Sequence, residues 1–394
     1  MLEGIVTWAE IDLDAITGNL QAFKRHVGEG VKVIAVVKAN AYGHGAVPVA
    51  KAALQAGAEM LAVHRAIEGV ALRRAGLQAP VLIMGYTPPD GAAMVVDHRL
   101  TPSLMTFEFA QALSAQASAA GARVPIHVKV DTGMSRYGLL PGEVAEFLRG
   151  VAHLPGLQFE GLFTHLATAD WSDPTYACQQ LGVFNQVRQA AQQAGFAFPL
   201  VHAANSAATM ILPEAHFDAV RPGIALYGLD PSSEWLPVFE IRPALSLKSK
   251  VSRVRTLPAG EGVSYSRTYI TSKPTLAALV PAGYGDGYQR VLSNRSQVLI
   301  RGRRAPLIGR VCMDQFVVDA SGIPDVQQDD EVVLVGRQGE ERISAEEVAG
   351  LAGTINYEVT TSLLPRVARV YLRGGEAIQI DSLDQGAGKQ TGDA

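Results

Sequence analysis

The stretch VKVIAVVKANAYGHG (31–45) carries an apolar, β-type run onto an amine, Lys38, and then continues through small residues. Such an amine is either a solvated loop lysine or a nucleophile held at the mouth of a fold. Other reactive or hydrogen-bonding groups stand at comparable joins: Lys129 and Asp131 close VPIHVKV with Arg136 shortly after, His165 closes LQFEGLFTH, Asn205 and Ser206 follow LVHAA, and Arg221 lies in DAVRPG. Singly, each has an ordinary structural explanation; gathered at strand ends they describe a catalytic mouth. NSAAT (205–209) offers a hydroxyl and backbone amides at a predicted helix start, and RPGIALYG (221–228) supplies Gly223, where backbone approaches an anion without a side chain intervening. A lysine on one strand facing a phosphate loop across the mouth suggests an aldehyde cofactor carrying a phosphate. Pyridoxal 5'-phosphate fits, with Lys38 forming its Schiff base and small neighbours leaving space for the ring.

The elements that position these groups follow from periodicity. Strand-like runs are predicted at 31–38, 59–64, 80–85, 100–106, 124–130, 157–165, 200–205 and 218–223, with helices such as 66–76, 107–121 and 179–195 between them. Eight nearly continuous apolar strands alternating with helices predict an α/β fold, a (β/α)8 barrel of the TIM type, with a doubly wound open sheet as the alternative. After Pro243 the runs become short, alternating and punctuated by Gly and Pro, which predicts an all-β module. The expected organisation is a barrel over 11–240 and a β-rich domain over 241–383, with residues 1–10 pairing with the latter and 384–394 a disordered tail.

Bulk properties narrow the class. The chain has 394 residues, 48% of them hydrophobic, and a formal net charge of −4, which argues against a nucleic-acid surface. Two cysteines, Cys178 and Cys312, make no disulfide framework and suit a reducing compartment. The N-terminus shows no basic region followed by an apolar core, and no apolar run reaches membrane-spanning length. The expectation is a soluble cytoplasmic protein with no membrane, nucleic-acid or metal partner.

The residues also carry a family likeness. AVVKANAYGHG resembles the cofactor-attachment motif of bacterial alanine racemases, the fold-type III pyridoxal-phosphate enzymes. The resemblance continues through VDTGMSRYG (130–138), FTHLATAD (163–170), HAANSAAT (202–209), RPGIALYG, GVSYSRTY (262–269), AGYGDGYQR (282–290), GRVCMDQFVVD (309–319) and TINYEVTTSLLPRVARVY (354–371). It implies interconversion of L- and D-alanine by two bases, Lys38 on one face of the bound amino acid and Tyr265 on the other. D-alanine would then supply cell-wall peptidoglycan. The resemblance further implies that Tyr42, Ser206, Tyr357 and the backbone of Gly223 and Ile224 hold the phosphate, with Asn205 beside them. Arg221 would face the pyridine nitrogen and His165 would link it toward Tyr265. Arg136 and the Met313 backbone would bind the substrate carboxylate. Lys129 matches a lysine that is carbamylated in some relatives. In similar enzymes the tyrosine comes from the other subunit, so a head-to-tail homodimer is implied.

Two positions depart from the usual pattern. Ser135 stands where many relatives have glycine, so its loop is expected to avoid dihedrals open only to glycine, and Leu166 replaces a usual phenylalanine. A broad-specificity racemase, a fold-type III decarboxylase and a non-enzymatic cofactor carrier are the competing readings. The export signal of the first and the triple-glycine loop of the second are not seen, and a carrier has no use for a second base.

Overall fold

The structure, a computed structural model, describes residues 3–383. The described residues form two compact units: one comprises Ala15–Ala41 and Ala46–Arg242; the other comprises residues 3–14, Tyr42–Gly45 and residues 243–383.

The first unit is a closed parallel barrel. After β1 (Thr7–Asp12), which belongs to the second unit, its strands are β2 (Lys32–Val36), β3 (Met60–Val63), β4 (Val81–Ile83), β5 (Thr101–Leu104), β6 (Val124–Lys129), β7 (Leu157–Phe163), β8 (Leu200–His202) and β9 (Ala219–Val220). Each pairs with the next, and β9 returns to β2 through Lys32↔Ala219 and Val33↔Val220. Closure excludes the open-sheet alternative. These strands read as unbroken apolar runs because both faces are covered, by interior side chains and by the outer helices. The helices bury one stripe each. Val144–Val151 turns Val144, Phe147, Leu148 and Val151 inward, and Phe107–Ala119 does the same with Phe109, Ala110, Leu113 and Ala117. Thr106 caps the latter, its hydroxyl accepting from Phe109 N at 3.3 Å.

The second unit is built on an eleven-stranded sheet. Its order is Arg253–Leu257, Thr275–Val280, Phe316–Asp319, Arg303–Ile308, Gln297–Ile300, Glu331–Gln338, Leu245–Lys250, β1, Ala368–Arg373 and Glu376–Asp381, with Glu341–Ile343 paired to Glu331–Gln338. β1 is held between an antiparallel and a parallel neighbour, so Trp8 packs with Ala368 and Val370. The unit is β-rich rather than purely β. Helices Ala345–Ala352 and Asn356–Thr361 interrupt it; the first starts where Ser344 Oγ accepts from Glu347 N at 3.1 Å. Residues 384–394, expected as a disordered tail, lie outside the described residues.

Candidate active site

Every strand of the barrel points its C-terminal end to one rim, where barrel enzymes place their chemistry. Lys38 follows β2 by two residues. Its amine is held below the ordinary lysine range by burial and by the Arg136 and Arg221 guanidinium groups, with Glu68 opposing them. The backbone behind it is unusual: Ala39, Asn40, Ala41 and Tyr42 all have φ between 52° and 54°. A left-handed turn of non-glycine residues costs roughly 1–2 kcal/mol per residue, so surrounding bonds must hold it. Ala39 N donates to Glu68 Oε1 at 2.6 Å, Ala46 N to Asn40 Oδ1 at 2.9 Å, and Ala41 N to Val37 O at 2.9 Å.

Arg221, after β9, is buried, with both terminal nitrogens held. Nη1 donates to His202 Nδ1 at 2.5 Å; Nη2 donates to Thr164 O at 2.8 Å and Ala203 O at 3.0 Å, with His165 Nδ1 3.4 Å away. Burial brings its pKa down to about 9, so it stays a cation at neutral pH. Because arginine only donates, His202 Nδ1 must be an acceptor and His202 Nε2 carries the proton. That proton faces His127 Nδ1 at 2.8 Å, and His127 Nε2 in turn meets Glu160 Oε2 at 3.1 Å. Four side chains thus form one directed chain from guanidinium to carboxylate, with both imidazoles neutral. Burial, chiefly, holds both histidines below their ordinary value. Gly161 makes room for it: a Cβ there would lie 2.3 Å from His127 Nδ1.

Lys129 ends β6 with its amine 3.2 Å from Met84 O and 5.4 Å from the centre of the Phe163 ring. Burial, then Arg221, Arg136 and Lys38, lower its pKa to about 8. Asp131 Oδ1 accepts from Gly133, Met134 and Ser135 N at 2.9, 2.9 and 3.1 Å, which shapes the loop leading to the exposed Arg136. Ser135 has φ 57°, in the left-handed region that glycine favours but that other residues also enter, and its N–H bond to Asp131 Oδ1 helps hold it there. Leu166 is buried. His165 is kept neutral by burial and by Arg221, Arg136, Lys129 and Lys38.

At the β8 and β9 ends, Ser206 Oγ accepts from Gly223 N at 2.8 Å and Ala225 N at 3.3 Å, which brings the serine, Gly223 and Ile224 together. Asn205 is the N-cap of Ser206–Ile211, its Oδ1 accepting from Ala208 N at 2.9 Å.

In the second unit, the Tyr42 and Tyr357 rings lie 6.1 Å apart, and burial raises the Tyr42 phenol well above its ordinary range. Tyr265 sits on a short 3-10 turn, 70% exposed, between Ser264 (φ 63°) and Ser266 (φ 61°). Ser264 Oγ anchors that turn on Arg310 O at 2.8 Å. Met313 is exposed; its carbonyl accepts from Gly285 N at 2.8 Å and from Arg366 Nη2 at 3.2 Å. Arg366 also grips Asp286 at 2.7 and 3.0 Å and Asp314 at 2.7 Å, fixing the loop.

Thus the barrel gathers Lys38, Lys129, Arg136, His165, Ser206, Arg221, Gly223 and Ile224 at its C-terminal rim. Tyr42, Tyr265, Met313 and Tyr357 belong to the other unit. Sequence reasoning missed Glu68, His127, His202 and Glu160. A histidine in the middle of the buried strand VPIHVKV was the available signal for the relay, since a buried polar group needs a partner. Among the described residues no group of three or more His, Cys, Asp or Glu side chains is arranged to hold a metal.

A rim carrying a depressed lysine, a buried arginine and the Ser206–Gly223 pair, in a barrel followed by a β-rich module, defines the class as a barrel enzyme with an activated amine at its mouth. Residues 11–231 match the model "Alanine racemase, N-terminal domain" and residues 244–371 match "Alanine racemase, C-terminal domain". The chain is similar to the alanine racemase of Desulfovibrio desulfuricans, 47% identical over 93% of this chain and 98% of the relative. It is 48% identical to that of Symbiobacterium thermophilum over 94% and 97% respectively. The crystal structure of alanine racemase from Bacillus anthracis with bound L-Ala-P superposes with a TM-score of 0.91 at 40% identity, covering 96% of this chain and 98% of that one. The chain belongs to the alanine racemase family. It is an isomerase that interconverts L- and D-alanine, the reaction that provides D-alanine for peptidoglycan.

Proposed function

We propose that this racemase works with pyridoxal 5'-phosphate and two bases, Lys38 and Tyr265, of which Tyr265 serves the site of a second copy. The observation that carries this reading is the depressed amine of Lys38 on the rim that also holds Arg221 and the Ser206–Gly223 cradle. The donor set fits the cofactor: an amine for its aldehyde, an obligate hydrogen-bond donor for its ring nitrogen, and hydroxyl and amide groups for its phosphate. Ser206, the backbone of Gly223 and Ile224, and the phenols of Tyr42 and Tyr357 would hold the phosphate, with Asn205 shaping the helix start beneath it. When bound, the cofactor supplies an electron sink that acidifies the α-carbon of the amino acid attached to it.

The remaining work belongs to the chain. L- and D-alanine are equal in free energy, so removal of the α-proton on one face and return on the other needs a donor and an acceptor on each side. Lys38 Nζ, its proton affinity lowered by burial and by Arg136, takes or returns the proton on its face. Tyr265 Oη does so on the opposite face, and its 70% exposure suits a residue presented to a neighbouring molecule. Arg221 donates a hydrogen bond to the ring nitrogen and keeps its own proton, which limits the electron sink and favours prompt return of the α-proton. His165, neutral and accepting from Arg221 through Nδ1, carries its proton on Nε2 and links toward Tyr265. Arg136 binds the substrate carboxylate with the Met313 backbone. Lys129, with its lowered pKa, is suited to take up carbon dioxide as a carbamate, which would orient Arg136.

The homodimer is head-to-tail, and its location is the cytoplasm; among the described residues no helix is long and apolar enough to cross a membrane. The decisive experiment follows the circular dichroism of L-alanine with the purified protein and added pyridoxal phosphate. The signal should decay to zero while total alanine stays constant. Loss of alanine would point to decarboxylation, and a persistent signal from cofactor-loaded protein would remove alanine as the substrate.

A further inference from the structure

Glu68 stands in the first turn of helix Ala66–Arg74, half-buried, and its carboxylate gathers three backbone N–H groups from two segments. Oε2 accepts from His64 N and Arg65 N, both at 2.8 Å, and Oε1 accepts from Ala39 N at 2.6 Å. The first two bonds are those of an ordinary helix-capping glutamate. The third is not: it crosses from β3's exit to the residue directly after Lys38 and ties down the first member of the left-handed turn. We propose that Glu68 is a positioning residue for Lys38, its carboxylate holding that turn so that the amine stands at the rim in one place. The proposal rests on the assignment of Lys38 as cofactor amine and base.

The physical case has two parts. A run of four non-glycine residues at positive φ is unfavourable in isolation. Charge-assisted bonds to backbone N–H groups are about twice as strong as neutral ones, so a carboxylate is the group to hold such a run. Charge also matters around the amine. Arg136 and Arg221 lower its proton affinity, and Lys129, His64 and His165 interact with it as well, whereas Glu68 is the anion that opposes them. Glu68 thereby works against burial and the two guanidinium groups, which favour the neutral form of Lys38.

Glu68→Gln keeps size and removes the charge. In cofactor-free protein, the pH dependence of Lys38 labelling by an amine-directed reagent, read by mass spectrometry, should shift to lower pH in this variant. In the loaded enzyme kcat should fall about a hundredfold with KM for alanine little changed, the loss expected of a misplaced catalytic group. Glu68→Asp should restore part of both. Unaltered labelling midpoint with unaltered kcat overturns the proposal, as does a fall in kcat with the midpoint unmoved, which marks a helix cap and nothing more. Should Glu68→Gln fail to fold, hydrogen exchange on the unaltered protein decides: the Ala39 amide should be protected well beyond an exposed turn, and free exchange overturns the idea. Lys38→Ala serves as the separate control, since retained racemisation there sinks the assignment of Lys38 without touching Glu68.

Discussion

Lys129 has a price that pH can reveal. Its pKa of about 8 in the folded protein lies below the value near ~10.4 of an unfolded chain. Between those two pH values the unfolded state binds more protons than the native one, so stability contributed by this group rises with pH across that window. Below about 8 the amine is protonated in both states and the cost of burying it is fully felt. Lys129→Met should therefore stabilise the protein at pH 7, by on the order of 3 kcal/mol at most, and flatten the rise between pH 8 and 10. Denaturant unfolding at several pH values checks this. A variant that retains the wild-type slope means the amine is better solvated than its burial implies. The same lowered pKa leaves a usable fraction of neutral amine near pH 8, the form whose lone pair attacks carbon dioxide.

Among the secondary-structure elements, β6, β7, β8 and β9 are bound by more than their ladders. His127, Glu160, His202 and Arg221 lie on or beside four consecutive strands and share one directed set of hydrogen bonds. Phe163 stacks on His202 with ring centres 4.8 Å apart, and the Arg221 guanidinium sits 5.4 Å from the same ring. The arginine is thus located by neighbours on both sides, as the role proposed for it at the cofactor's ring nitrogen requires. Gly161→Ala places a carbon 2.3 Å from His127 Nδ1, against a ring buried on all sides. The expected cost is about 2–3 kcal/mol of overpacking together with a fall in kcat, because His127 must leave the relay. A thermal midpoint equal to wild type would show that the ring has room to move. The left-handed turn after β2 is the other element with a tertiary contribution: Ala39, Ala41 and Tyr42 have no intrinsic preference for it, and the bond from Ala39 N to Glu68 crosses from another element.

For the molecule as a whole, the proposed head-to-tail arrangement has a quantitative test. Lys38→Ala and Tyr265→Phe are each expected to be nearly inactive alone. If each site draws its lysine from one subunit and its tyrosine from the other, mixing and reassociating equal amounts gives half heterodimers, each with one intact site. About a quarter of wild-type activity should return, as twofold symmetry requires. No recovery after demonstrated subunit exchange would place both residues of a site on one chain. Removal of the cofactor by dialysis against an amine should abolish activity in either case, restored by pyridoxal phosphate.

Periodicity carried most of the architecture. Uninterrupted apolar runs such as VKVIAVV and EMLAV mark strands covered on both faces, and the change to alternation after Pro243 marks a sheet with one wet face, because burial leaves a direct imprint on residue order. Lys38, Lys129, His165, Ser206 and Arg221 were visible as polar groups ending such runs, and barrel topology brings strand ends to one rim whatever the details. The helices Ala345–Ala352 and Asn356–Thr361 were not visible, since Gly- and Thr-rich neighbours masked their short period. Nor was anything that depends on which atoms meet. The bond from Glu68 to Ala39, the histidine relay and the left-handed Ser135 each join residues through strand register, closure and loop packing, and these are set by the balance of the entire barrel. The depressed Lys38 likewise arises from burial and from two cations distant in sequence, Arg136 and Arg221. Residue types announce which chemistry is available; only the folded arrangement sets their proton affinities and their aim.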